Sequence, residues 1–210
     1  ISSMKIDHQN IFFTSDFHVG HSNVIRHDGR PFKDVNEMNQ TLIDNWNSVV
    51  QDEDIVFYLG DFAYRCHPKT MKWFASQLKG KIYFIMGNHD HFRDIQNLNR
   101  FERIYGDSTG LGGATIKVKD DDVKGGWQDI VMCHYAILSW NKGHYGAWHL
   151  HGHSHQSLAK NPDMKWFYER KVLDMGCNGW DYTPISYTQI KSIMNTKQIK
   201  PVDHHEGDAE

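Results

Sequence analysis

The sequence predicts an α/β protein in which two packed sheets carry helices on their outer faces. Strands and helices alternate in the first half, the second half is strand-rich, and several strand ends deliver side chains of metal-binding type. At 210 residues with 39% apolar content the chain can bury a full core. A single domain is expected over 4–200, with a polar tail at 201–210 and Ile1-Ser2-Ser3 ahead of Met4 read as an added remnant.

Residues 11–15 are the first expected strand, ending at Asp16 and His18, and the polar, glycine-marked stretch 19–33 follows as a loop. Asp34 and Glu37 have capping-box spacing, and Met38, Leu42, Trp46, Val49 and Val50 recur at helical spacing, so a helix is expected over 35–50. The continuous apolar run 54–59 ends in Gly60-Asp61, the pattern of a strand covered on both faces. Pro68 suits a first helical turn and Gly80 a stop, which places a helix at 68–79. The strand 81–86 then runs into Gly87-Asn88-His89-Asp90. Residues 115–119 and 129–133, separated by the acidic and glycine-rich 120–126, read as a hairpin that delivers His134. Further strands are expected at 148–151 and 171–175. A last helix opens at Ser186, with Gln189 as capping partner, and runs to about Lys197.

The net charge of -3 and pI near 6.6 lack the basic footprint of duplex DNA binding. A small anionic substrate remains compatible, because bound dications reverse the local sign. Cys66, Cys133 and Cys177 make an odd count without Cys-x-x-Cys spacing, which argues against a disulfide framework or zinc ribbon and for a reducing, cytoplasmic setting. The apolar runs at 55–59 and 82–86 are too short to cross a bilayer, so no membrane partner is expected. Oligomeric state is not legible.

Asp16, His18, Asp61, Asn88, His134, His153 and His155 together offer two carboxylates, one amide oxygen and four imidazoles. That is more than one transition ion needs. Mixed nitrogen and oxygen donors without thiolate favour manganese, with nickel, iron, cobalt or zinc as alternatives, over a calcium cage. If one carboxylate bridges, two divalent ions sit about 3.5–4 Å apart and a shared hydroxide becomes a nucleophile at neutral pH. His153 and His155 alternate along a segment expected to be extended, so both would point to one face.

The order Asp16-x-His18, Gly60-Asp61, Gly87-Asn88-His89-Asp90, His134 and Gly152-His153-x-His155 resembles the calcineurin-like metallophosphoesterases. The resemblance spans residues 11–155, and 175–190 is similar to that family's closing strand and helix. Gly20-His21 and Arg30-Pro31-Phe32 resemble its compact phage and bacterial members. Ala136 stands where the family often has proline, and Ser154 where threonine or valine is common; neither supplies a ligand. The resemblance implies a central β-sandwich flanked by helices, four layers in the order α/β/β/α. It further implies that Asp16, His18 and His155 hold a first metal, that Asn88, His134 and His153 hold a second, and that Asp61 bridges them.

By the same resemblance His89 is not a ligand but faces the leaving group, where an imidazole can donate a proton or stabilise charge on phosphorus. Asp90 is assigned to orienting His89 or a metal-bound neighbour. The segment from His21 to Lys33 supplies His21, Arg26 and Arg30 as candidate substrate contacts, against the alternative of a solvated basic loop. His149 and His151 run in phase with His153 and suit packing; His144 and Cys133 lie beside the motifs; His204 and His205 sit in an acidic tail. Phe167 and Tyr168 read as core rather than as a base-stacking pair. The expected function is a dinuclear phosphoesterase acting on phosphodiesters such as cyclic nucleotides or short nucleotide diesters. Its rivals are a monoesterase or protein phosphatase, a single-strand nuclease on the same scaffold, and a non-catalytic scaffold.

Overall fold

The structure is a computed structural model that describes residues 3–7 and 10–203. In chain order the first half contains β1 (Met4–Ile6), β2 (Ile11–Thr14), α1 (Ser22–His27), α2 (Val35–Val49), β3 (Ile55–Tyr58), α3 (Pro68–Gln77), β4 (Lys81–Ile85), α4 (Phe92–Asn97) and β5 (Phe101–Tyr105). The second half contains β6 (Gly113–Lys119), β7 (Trp127–Cys133), β8 (Trp148–His151), α5 (Ser157–Lys160), α6 (Lys165–Tyr168), β9 (Val172–Asp174), β10 (Ile185–Ser186) and α7 (Tyr187–Met194).

Among the described residues the strands form two five-stranded sheets, ordered β10-β2-β3-β4-β5 and β1-β6-β7-β8-β9. In the first sheet β2, β3, β4 and β5 are parallel and β10 is antiparallel. In the second, β6 and β7 are an antiparallel hairpin and β7, β8 and β9 are parallel. Parallel strands put their carboxyl ends on one edge of a sheet, which is where open α/β sheets place their sites. Here the ends of β2 and β3 meet those of β7 and β8, because His153 N donates to the Asp16 carboxylate and His134 Nδ1 bonds Leu59 O between the two sheets.

Alternation along β2 explains the layering. Phe12 joins Met38, Leu42, Trp46 and Phe74 in a core between the first sheet and helices α2 and α3. Phe13 points the other way, into a core between the sheets with Phe57, Ile130 and Leu150. A third, smaller core of Val131, Trp140, Phe167 and Val172 covers the outer face of the second sheet. Each wholly buried phenylalanine contributes about 2–3 kcal/mol.

All three expected helix starts are present. Asp34 accepts from Glu37 N at 2.9 Å, although the Glu37 carboxylate returns to Lys33 N rather than to Asp34, and Ser186 and Gln189 form a reciprocal capping box. The final helix stops at Met194, short of Lys197. The stretch 19–33 is not wholly a loop, since α1 lies inside it. The segments β1, α4 and β5 were not legible because each has three to six residues and no clear apolar period. No helix among the described residues is long and apolar enough to cross a membrane.

Candidate metal centre

Five strand-end loops bring all seven expected ligands together. One group is Asp16, His18 and His155; the other is Asp61, His134 and His153, with the ligand atoms of each within 4.8 Å of one another. The Asn88 amide oxygen lies 3.0 Å from His134 Nε2 and 2.9 Å from His153 Nδ1, which completes the second group. Asp61 Oδ2 lies 3.3 Å from His134 Nε2 and 3.6 Å from His18 Nε2, so one carboxylate oxygen faces both groups.

These separations test the site for a cation. Bonds of about 2.0–2.2 Å to a central ion give ligand-to-ligand edges of roughly 2.9–3.6 Å, octahedral at the low end and tetrahedral at the high end. His18 Nε2 and His155 Nε2 are 3.1 Å apart, and His155 Nε2 is 3.5 Å from Asp16 Oδ1. Converging imidazole lone pairs at such distances fit divalent ions at both groups. No thiol joins them: Cys177 donates to Asp16 O, and Cys133 precedes His134 in β7 without contributing to either group.

The backbone is bent to make this convergence. Asp16, His18, Asp61, His153 and His155 all have positive φ, between 45° and 67°. Each such non-glycine residue costs on the order of 1–3 kcal/mol, and strain of this kind collects at functional sites. The histidines of the fifth loop therefore do not alternate along an extended strand as expected. β8 ends at His151, and the turn beyond it sends His153 to one group and His155 to the other. Close approach also requires glycine: a Cβ on Gly87 would lie 2.2 Å from Asp61 Oδ1, and one on Gly152 would lie 2.1 Å from Ser15 Oγ.

Partners outside the two groups hold His134, His155 and Asp61 in orientation. His134 Nδ1 bonds Leu59 O at 2.8 Å, and His155 Nδ1 bonds Asp28 Oδ2 at 2.7 Å, so both Nε2 atoms face the centre. Asp61 Oδ1 accepts from His89 N at 2.9 Å, which leaves Oδ2 for the centre. Burial opposes charge on Asp16, but the bond to His155 and the charges of His134, His155 and His18 hold its carboxyl well below the usual range. Burial likewise works against His134 and His155, yet bonds to Asp61, Asp16 and Asp28 raise them to about 9 and about 10. Desolvation lowers His18 to about 4, and it also lowers His153, keeping their lone pairs free at neutral pH.

The flanking residues divide. His89 is exposed, its ring 5.6 Å from that of His18 and 4.6 Å from that of Tyr64. Asp90 does not orient the His89 ring. It is buried, accepts from Asp61 N and Gly87 N at 2.8 Å and from Phe62 N at 2.9 Å, and thereby ties two ligand loops together. Arg30 is not placed to grip substrate either: its guanidinium is buried and donates to Asp16 O, Phe17 O and Asp28. Arg26 is exposed on α1, and His21 borders a recess beside His89. His149 accepts from Ile137 N, His151 bonds the Tyr168 hydroxyl, and Phe167 is core, so these residues pack. The His144 ring lies tilted against that of Tyr145 and belongs to neither group, while His204 and His205 lie outside the described residues.

Residues 10–166 match the family described as calcineurin-like phosphoesterase. The chain belongs to that family. Membership makes it a metal-dependent phosphoester hydrolase by class, and the two ligand groups are its candidate metal sites. Among curated relatives, an uncharacterized protein of Methanocaldococcus jannaschii is 30% identical over 191 residues, covering 90% of this chain and 93% of its own. The Gene 66 proteins of two Mycobacterium phages are 24% and 26% identical, each alignment covering 89% of this chain and 96% and 94% of theirs. A crystal structure of a protein of unknown function from Aquifex aeolicus shares the phosphoesterase fold at 23% identity. Its TM-score is 0.66, with 88% of this chain and 99% of the other covered.

Two residues that sequence reasoning missed support the ligands. Asp28 holds His155, and Asp174, at the end of β9, accepts from Ser154 Oγ and Gln156 N on either side of that histidine. Neither has a spacing signal, because both act across the fold on residues far away in sequence.

Proposed function

We propose that this phosphoesterase hydrolyses phosphodiesters at a dinuclear centre. The observation that carries the reading is the single oxygen of Asp61 facing both ligand groups. Two divalent transition ions bound there, manganese foremost, would polarise the phosphoryl oxygens and supply a nucleophile from water at neutral pH.

The chain's own residues do the rest. Asp16 and Asp61 bring two buried negative charges, and His18, His134, His153, His155 and Asn88 complete a nitrogen and oxygen shell without thiolate. His89 stands at the rim beside His18, held through its backbone by Asp61, where its imidazole can protonate a departing oxygen. Asp90 keeps the Asp61 and Gly87 loops in register, so His89 and Asn88 present to the same space. Two recesses, of about 560 and 310 Å³, meet at Tyr64, Arg65 and His89. A diester has two substituents to accommodate, and this divided surface favours it over a monoester.

The test is turnover with added manganese, nickel, zinc and magnesium on bis-aryl phosphate, mono-aryl phosphate and cyclic nucleotide, alongside metal analysis. Two ions per chain and faster diester hydrolysis are expected. One tightly held ion with full activity in chelator refutes the dinuclear reading, and a tenfold preference for the monoester refutes the diester assignment.

A further inference from the structure

The larger recess beside His89 has a composition that the phosphoesterase reading does not use. Its lining includes His21, His27, His89, Arg65, Ser22 and Asn23, and no acidic residue is among the residues that form it. That is selective in a chain with more acidic than basic residues, 26 against 23. Arg30 shows the contrast, since its guanidinium is consumed by Asp28 and two carbonyls. Arg65 instead lies over the Tyr64 ring at 5.3 Å, which keeps its fork of donors at the recess without neutralising it.

The recess starts next to the metal centre. The His21 and His89 rings are 5.7 and 5.6 Å from that of His18, and the Tyr64 ring lies 4.6 Å from each of them. The smaller recess shares Tyr64, Arg65 and His89 but has Asp94 in its wall, so its charge is mixed. The two sides of the divided surface are therefore unlike, and only one suits an anion.

We propose that the larger recess is a subsite for a second phosphate of the substrate, carried on its leaving group and bound by Arg65 with His21 and His27. This rests on the phosphodiesterase reading and sharpens it: the favoured ester releases a nucleotide that carries its own phosphate. Arg65 binds a phosphate through paired hydrogen bonds, and the neighbouring imidazoles add donors. The same chemistry would accept the second phosphate of an anhydride, so the two sources need separating.

The experiment compares kcat/KM of the manganese-loaded protein for a dinucleoside monophosphate with and without a terminal phosphate on the leaving nucleoside, and for an anhydride-linked dinucleotide. The proteins are wild type, Arg65→Gln and His27→Gln, the second variant being an exposed change that spares the fold. Wild type should prefer a phosphate-bearing leaving group at least tenfold, and Arg65→Gln should shrink that ratio about tenfold, chiefly through KM. If Arg65→Gln lowers kcat/KM for the anhydride by more than for the phosphorylated diester, the subsite is supported and its phosphate is assigned to the anhydride. Equal kcat/KM for the matched pair, or a ratio untouched in both variants, overturns the subsite while leaving the diesterase reading intact. Calorimetric binding of adenosine 3′,5′-bisphosphate judges the subsite apart from turnover. Affinity that falls tenfold in Arg65→Gln supports it even if no diester is cleaved, and equal affinity in all three proteins overturns it.

Discussion

Asp28 is the residue whose replacement most directly tests how the centre is held. Its Oδ2 takes His155 Nδ1 at 2.7 Å, Arg30 Nε at 3.1 Å and an Arg30 terminal nitrogen at 3.0 Å, while Arg30 reaches on to Asp16 O and Phe17 O. One carboxylate therefore orients a ligand of the first metal group and anchors the arginine that braces the loop of another. In Asp28→Asn the amide oxygen can take the place of Oδ2, but the negative charge that holds both His155 and Arg30 is lost. Loss of such a ligand-orienting partner costs about 10–100-fold in metal affinity, or about 1.4–2.7 kcal/mol. Asp28→Ala goes further and leaves a guanidinium with 0% side-chain exposure without its carboxylate partner. Breaking a buried pair costs about 3–5 kcal/mol, and the surviving bonds to Asp16 and Phe17 put this case at the lower end. Against a typical total of about 5–15 kcal/mol, the alanine protein folds but melts several degrees lower. Burial works against charge on Asp28, yet its bonds and proximity to His155 and Arg30 hold its carboxyl below the ordinary value. Its contribution to stability is thus present above the unfolded carboxylate's pKa and is lost as pH falls through the depressed folded one. The assay is competition of manganese against a chelator, with thermal unfolding in parallel at pH 7. Wild-type affinity in Asp28→Asn, together with wild-type melting in Asp28→Ala, would refute the reasoning.

Four further outcomes are expected. Because His134 and His155 are raised to about 9 and about 10, both carry protons at pH 7 without metal, so cation binding should release up to one proton per group and tighten as pH rises. Calorimetry in two buffers of different ionisation enthalpy reads the release, and a value of zero at pH 7 contradicts it. In the metal-free protein the same two groups stabilise the fold below about pH 6.5, and that stabilisation is lost as pH rises through 9 to 10. Gly152→Ala places a Cβ 2.5 Å from Asp16 Oδ2, so overpacking should cost about 1–3 kcal/mol and loosen the first group; unchanged melting and metal affinity would show that the loop yields freely. His89→Ala should keep both metals and lower kcat by roughly 10²–10⁴-fold on a ribose leaving group, with a smaller loss on nitrophenolate; equal losses on the two would move His89 from proton donor to charge stabiliser.

The sequence by itself determined the layered α/β class, the strand ends that carry chemistry and the identity of the seven converging side chains. Those features rest on local patterns: continuous apolar runs for strands buried on both faces, capping residues at Asp34 and Ser186, and Asp, Asn and His at the ends of the runs. It also marked out His89, whose place beside Asn88 follows from adjacency in the chain. Only the tertiary structure decided what the neighbouring polar residues do. Read along the chain, Arg30 looks like a substrate contact and Asp90 like a residue that orients His89 or a metal-bound neighbour, but the structure turns both inward to hold ligand loops. Asp28, Asp174, Tyr64 and Arg65 left no trace in spacing, because their partners lie on other loops. The turn at His153 and His155 was misread for the same reason. Its positive φ values are imposed by contacts with Asp16, Asn88 and Asp28 from other loops, and strain fixed by long-range partners is invisible to any local period.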